Sequence, residues 1–115
     1  MKINLTARHF DLSISAREYC QEAVRGLEKY FDRINDVQVV LDKEKERWKA
    51  EMIVGVPGRT LTSNSETDQL FTAVDEAAEK MSRQIERYKA RINHEKDRRE
   101  AQQSSAAASA AERQG

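Results

Sequence analysis

LFTAVDEAAEKMSRQIERYKARINHEKDRR, residues 70–99, decides how the rest of the chain is read, because it carries two stripes at once. Phe71, Val74, Ala78, Met81, Ile85, Tyr88 and Ile92 are spaced three and four apart. An α-helix turns about 100° per residue, so this spacing gathers them on one side and predicts a long helix with one core-facing side. Lys80, Arg83, Arg87, Arg91 and Arg98, with Gln84 and His94 among them, form a second stripe. On the same helix it projects away from the first, toward solvent. A helix that buries one face and offers a row of cations on another resembles a nucleic-acid-binding element.

Working back toward the N-terminus, apolar residues alternate with polar ones. Ile3, Leu5 and Ala7 alternate with Asn4, Thr6 and Arg8, the pattern of a half-buried strand. A loop from His9 to Ile14 leads to Ser15 and Glu18, a capping-box pair, with Ile14 and Tyr19 spaced as a hydrophobic staple. Tyr19, Cys20, Ala23, Val24, Leu27, Tyr30, Phe31 and Ile34 then predict a helix to about residue 33. Val37, Val39 and Leu41 mark a second strand, and Lys43–Glu46 a hairpin connection. Trp48, Ala50, Met52 and Val54 mark a third strand, with Trp48 in the core. Val56-Pro57-Gly58 is a turn, Arg59–Ser63 a fourth strand, and Asn64–Asp68 a capping segment ahead of the long helix.

The order β-α-β-β-β-α predicts a two-layer α+β domain. Its four-stranded mixed sheet carries both helices on one face, a layout like that of double-stranded-RNA-binding domains. The helix between the first two strands favours a parallel pair, and the short links after it an antiparallel meander. Residues 1–100 form this domain. Residues 101–115, rich in Ala, Ser and Gln with almost nothing bulky to bury, are expected to be a mobile tail.

Charge is balanced overall, with 20 Lys plus Arg against 20 Asp plus Glu, but it is segregated. Residues 36–79 hold 5 basic and 10 acidic residues, a net of −5. Residues 80–99 hold 8 and 3, a net of +5. Such a dipolar chain suits a polyanion on one surface. Charge alone does not separate that reading from a helix kept soluble by its Lys and Arg.

The chemistry that enzymes need is sparse. His9 and His94 stand on separate elements without a Cys or His partner at ligand spacing, which argues against a metal site. Cys20, the one cysteine, sits amid apolar helix positions and reads as a buried structural thiol. The sequence carries no Gly-rich phosphate loop or Ser-centred turn. Neither an apolar run of membrane-spanning length nor a signal-peptide core is present, so the expected compartment is the cytoplasm. No cofactor or small-molecule substrate is expected.

Four segments in order carry a resemblance. They are Leu5-Thr6-Ala7-Arg8-His9, Leu27-Glu28-Lys29-Tyr30-Phe31-Asp32-Arg33-Ile34, Leu70-Phe71-Thr72-Ala73-Val74-Asp75, and Met81-Ser82-Arg83-Gln84-Ile85-Glu86-Arg87-Tyr88-Lys89. Together they resemble the ribosome hibernation promoting factor family, which includes ribosome-associated inhibitor A, over about residues 2–93. Two positions depart from the family pattern: Gln69, where an acidic residue is usual, and Phe71, where Tyr is usual.

The resemblance implies a protein that is not an enzyme. It implies binding to the small ribosomal subunit and its ribosomal RNA, in the channel between head and body where transfer and messenger RNA lie. Translation would be silenced by steric occlusion under stress or in stationary phase. By position, it implies that Lys80, Arg83, Gln84, Arg87, Lys89 and Arg91 face ribosomal RNA. Arg8 and His9 at the end of the first strand, with Arg25 and Lys29 on the first helix, would add to them. The chain resembles the short form of the family, and a monomer is expected off the ribosome. Two rivals stand beside this reading: a generic double-stranded-RNA-binding module off the ribosome, and a protein-interaction module whose basic helix docks on an acidic partner.

Overall fold

Side-chain alternation builds all four strands. A computed structural model describes the backbone of residues 1–108 and the side chains of residues 1–94. Its elements are β1 (Lys2–Arg8), α1 (Ile14–Leu27), β2 (Asp36–Glu44), β3 (Arg47–Val56), β4 (Arg59–Thr67) and α2 (Leu70–Ala108), in the predicted order. The strands lie side by side as β1-β2-β3-β4, with β1 parallel to β2 and the others antiparallel. Contacts divide the chain into two units, Met1–Ile85 and Glu86–Gly115. The mobile tail expected at 101–115 falls on residues whose side chains, and from 109 onward whose backbone, lie outside the described residues.

Register explains why the sheet has two unlike faces. Ile3, Leu5 and Ala7 stand beside Val37, Val39 and Leu41, which oppose Val54, Met52 and Ala50. Leu61, Ser63 and Ser65 complete the same face from β4. The β2 and β3 residues of this face are buried, as are Ala16, Cys20, Val24 and Leu27 of α1 and Ala73, Val74, Ala77, Met81 and Ile85 of α2. Both helices cover that face, and removing these side chains from water stabilises the layer at about 25 cal/mol per Å² of apolar surface. The opposite face carries Asn4, Thr6, Arg8, Gln38, Asp42, Lys49, Glu51, Thr62, Asn64 and Glu66.

Several local features differ from expectation. Helix α1 is capped by Ser13, not Ser15: the Ser13 Oγ accepts from the Ala16 N–H at 3.1 Å. The helix therefore begins earlier, and Ile14 is 77% exposed and staples nothing. The helix also ends at Leu27 rather than near residue 33. The N–H groups of Glu28, Lys29 and Tyr30 each donate three residues back, to Arg25, Gly26 and Leu27, which tightens the last turn and stops the α pattern. Phe31 and Ile34 are still buried, whereas Tyr30 is exposed.

Strand β4 runs to Thr67, through the segment expected to be a cap. Its Thr67 hydroxyl accepts from the Gln69 N–H at 3.1 Å just ahead of α2. The β2–β3 hairpin is a tight turn at Lys45 and Glu46, with Lys45 at φ 57°, instead of a four-residue link. Pro57-Gly58 turns as expected, with Gly58 at φ 76°. Gly55 has a different role: a Cβ there would collide with the Asp36 carboxylate on the neighbouring strand.

The buried side of α2 is rotated from the expected one. Phe71 is 41% exposed and stacks on Tyr19, with ring centroids 4.3 Å apart and planes 6° apart. Ala78 is half-buried, while the unpredicted Ala73 and Ala77 are fully buried. Their small size lets the helix backbone approach β4 closely enough for the Ser63 hydroxyl to donate to the Ala77 carbonyl at 2.8 Å. Trp48, expected in the core, is half-buried at the end of the sheet. Phe10 meets it edge-on at 4.9 Å and the Lys43 ammonium lies 5.0 Å from its ring centre.

Candidate nucleic-acid interface

The first unit holds three of the predicted helix positions: Lys80, Arg83 and Gln84. Arg83 is exposed and pairs one turn back with Glu79 at 3.3 Å. An exposed pair at this spacing is worth only a few tenths of a kcal/mol, so the guanidinium exchanges readily onto a stronger anion. Lys80 and Gln84 behave differently. The Lys80 ammonium donates to the Asn64 carbonyl at 2.9 Å, and the Gln84 amide donates to the Thr62 carbonyl. Both side chains therefore lean onto β4.

In the second unit Arg87 and Arg91 are exposed, with His94 beyond them, and the Lys89 ammonium stands 3.9 Å from Glu86. Tyr88 is buried, which fits a place on the apolar side of the helix and not that of an exposed stacking platform. Arg98 has its side chain outside the described residues.

The auxiliary positions fall in three separate places. Arg8 and Lys80 line one cleft on the open face of the sheet, of about 470 Å³, with Asp42, Lys49, Glu51 and Glu66. His9, at φ 68°, donates its Nδ1–H to the Asp42 carboxylate at 2.8 Å. Arg25 pairs with Glu22 at 3.3 Å on the surface of α1. Lys29 stands past the end of α1, in the closing turn and not on the helix as expected. It lines a second cleft with Tyr30, Glu79 and Ser82.

Sequence reading missed the open-face cleft. Its signal was present in the polar alternates of β2 and β3, Asp42, Lys49 and Glu51, which become neighbours only once the register is known. Lys49 is tied at 2.9 Å to Glu44, whose carboxylate raises the lysine pKa above its ordinary value.

Among the described residues no group of three His, Cys, Asp or Glu side chains could hold a metal ion, and no helix is long and apolar enough to cross a membrane. Cys20 is buried, and burial pushes its thiol up to about 11. A nucleophilic thiolate is therefore scarce near neutrality. Ellman's reagent at pH 8 should leave the folded protein unmodified and titrate one thiol in denaturant; fast reaction of the native protein would contradict this burial.

Residues 3–93 match the family described as Sigma 54 modulation protein / S30EA ribosomal protein. The chain belongs to this family. The S30EA match spans every strand and both helices up to position 93 of α2. A ribosome hibernation promoting factor of Pseudomonas putida is 32% identical over 89 residues, 77% of this chain and 87% of that one. The protein of the same name in Escherichia coli K12 is 30% identical over 92 residues, 80% of this chain and 97% of that one. Among solved structures, a ribosomal subunit interface protein from Coxiella burnetii superposes with a TM-score of 0.74. It shares 26% identity and covers 78% of this chain and 99% of that one. The N-terminal domain of Thermus thermophilus Protein Y gives 0.71 at 27% identity, covering 76% and 99%. The fold is thus shared with a protein described as a ribosomal subunit interface protein.

Proposed function

We propose that this protein is a ribosome hibernation factor that binds the small ribosomal subunit through ribosomal RNA and sterically occludes the tRNA and mRNA sites. The observation that carries the reading is family membership over residues 3–93, with relatives named ribosome hibernation promoting factor. Ribosome association puts its work in the cytoplasm. Binding and occlusion require no bond to be made or broken, so the protein acts as an inhibitor and not as an enzyme.

The contacts come from one cationic row on α2, Arg83, Arg87 and Arg91, each four residues from the next. Lys89, half-buried beside Glu86 and about 200° around the helix from Arg87, lies outside that row and adds a secondary contact. The positions of the row are spaced so that the cations reach successive phosphates, and phosphate contacts supply most of the sequence-independent affinity for nucleic acid. Arginine suits the task because its planar fork meets phosphate through two parallel N–H donors. Arg8, His9, Arg25 and Lys29 lie outside this row and make secondary contacts. Occlusion follows from rigidity: a domain held by a packed sheet and helices cannot share its volume with tRNA.

Sedimentation of a stationary-phase lysate through a sucrose gradient tests the reading. The protein should run with small subunits and ribosomes and leave the top fractions. Added to a reconstituted translation system, it should inhibit peptide synthesis. Protein that stays at the top of the gradient and leaves translation unchanged would remove the ribosome from the account. Equal affinity for any A-form duplex would favour the generic double-stranded-RNA module, and no RNA binding at moderate salt the protein-interaction module.

A milder prediction separates the surface from the core. Arg87→Ala should leave the melting temperature nearly unchanged, because surface substitutions fall within about ±0.5 kcal/mol. It should weaken subunit binding without moving the site that is occupied, since phosphate contacts position a protein without reading sequence.

A further inference from the structure

β4 is an outer strand of the sheet, and the backbone groups of alternate residues in such a strand point away from its one neighbour. Thr62, Asn64 and Glu66 are three such alternates. Each of their carbonyls accepts a side-chain donor: the Gln84 amide on Thr62, the Lys80 ammonium on Asn64 at 2.9 Å, and the Arg47 guanidinium on Glu66 at 3.2 Å. Two of the three donors stand four residues apart on α2. Four helical residues rise about 6 Å, and two strand residues about 6.6 Å, so helix and strand stay in step from one rung to the next.

The next helix position in the series is Glu76, whose carboxylate cannot donate. It accepts the Ser65 hydroxyl at 2.6 Å instead. The rung at Glu66 is filled from β3, by an Arg47 whose Nε also meets the Glu66 carboxylate at 3.3 Å. The rung at Thr62 is filled by a neutral amide. A ladder that takes Lys at one rung and Gln at the next selects a hydrogen-bond donor, not a charge.

We propose that Lys80 and Gln84 are positioning residues, which clamp α2 along β4 and close that sheet edge against a second copy of this chain. The phosphate contacts fall to their neighbours, Arg83 first among them. The phosphate half of this proposal rests on the ribosomal reading above, whereas the edge half does not.

Two variants of one residue separate donor from charge. Lys80→Gln keeps a donor and removes the charge; Lys80→Met keeps the length and removes both. Binding of wild type, Lys80→Gln and Arg83→Gln to purified small subunits is measured across a salt series, and the mass of each free protein by sedimentation equilibrium. Lys80→Gln should keep the wild-type salt slope, while Arg83→Gln should flatten it by roughly 0.7–0.9, the loss of one phosphate contact. Lys80→Met with Gln84→Met should raise the average mass above that of wild type at equal concentration, as exposed β4 edges pair; Lys80→Met alone serves where the double variant loses its circular-dichroism signature. A slope for Lys80→Gln as flat as that of Arg83→Gln would make Lys80 a phosphate contact and overturn the assignment. An unchanged mass for the Met variants would overturn the edge closure. Should wild type bind no small subunit, the ribosomal reading falls, and the mass comparison alone decides the clamp.

Discussion

Arg83→Glu combined with Arg87→Glu should abolish binding to purified small ribosomal subunits under conditions where wild type saturates them. Each substitution does more than delete a cation. It sets a carboxylate against a phosphate, so attraction becomes like-charge repulsion at two adjacent rungs of the helix. Neither residue anchors the fold: among the described residues Arg83 holds just its exposed pair with Glu79, and Arg87 is exposed. The double variant should therefore melt close to wild type while binding is lost. The salt dependence provides the second measurement. Each neutralised phosphate releases condensed counterion, so single Ala variants at 83, 87 and 91 should each flatten the log–log salt plot by roughly 0.7–0.9. Equal affinity and equal slope for wild type and the Glu double variant would mean that this side of α2 does not meet RNA. The reading of α2 as a dock for an acidic protein would then move ahead.

The fold was legible because two periods in the sequence are unambiguous. Ile3-Leu5-Ala7, Val37-Val39-Leu41 and Ala50-Met52-Val54 alternate without a break, and all lie on the covered face of the sheet. Met81, Ile85 and Tyr88 keep the helical period and are buried. The errors came where a second signal imitated the first. Tyr30, Phe31 and Ile34 continue the helical spacing of α1 although the backbone has left the helix. Phe31 and Ile34 are buried because the closing turn folds back, not because the helix goes on. Two serines compete for the cap, and the Glu three residues after Ser15 favoured the wrong one. Capping by Ser13 instead starts a helix whose buried positions, Ala16, Cys20, Val24 and Leu27, form one continuous row.

Hidden alternation accounts for the second half of β4. Ser63 and Ser65 occupy buried positions usually held by apolar side chains, so the strand reads as a polar loop. Their hydroxyls are satisfied by the Ala77 carbonyl and the Glu76 carboxylate, partners that only tertiary structure supplies. The same limit applies to the candidate interface. A row of cations can be drawn on a helix from spacing alone, but the hydrogen bonds of Lys80 and Gln84 to the Asn64 and Thr62 carbonyls come into view only when β4 is placed beside them. Phe71 illustrates the converse, since its helical position suggested the core. The alanines at 73 and 77 take the space nearest the sheet, and the aromatic ring settles on Tyr19, whose hydroxyl donates to Asp75.

Ile85→Ala should produce the largest loss of stability of any single change considered. Ile85 is fully buried, and truncating it removes three carbon atoms that no solvent replaces. Interiors are close-packed and relax only in part around a missing group, so the cost combines lost transfer energy with a cavity, about 2–5 kcal/mol for Ile→Ala. A domain of this size is stable by only about 5–15 kcal/mol, so the change takes a large share of the total. At about 4–8 °C per kcal/mol for a domain of 60–100 residues, the melting temperature should fall by roughly 10 °C or more. Arg87, two residues along, lies about 200° around the same helix, and its truncation is the matched control. Thermal unfolding followed by circular dichroism should show a large drop for Ile85→Ala and almost none for Arg87→Ala. The midpoint in urea should move in the same way without a change in slope, because the surface exposed on unfolding stays nearly the same. Subunit binding should show the reverse order below the melting transition: Ile85→Ala retains its cations and most of its affinity, while Arg87→Ala loses a contact. If Arg87→Ala destabilised the domain as much as Ile85→Ala, the cationic side of the helix would be holding the fold together, and its assignment to phosphate would fail.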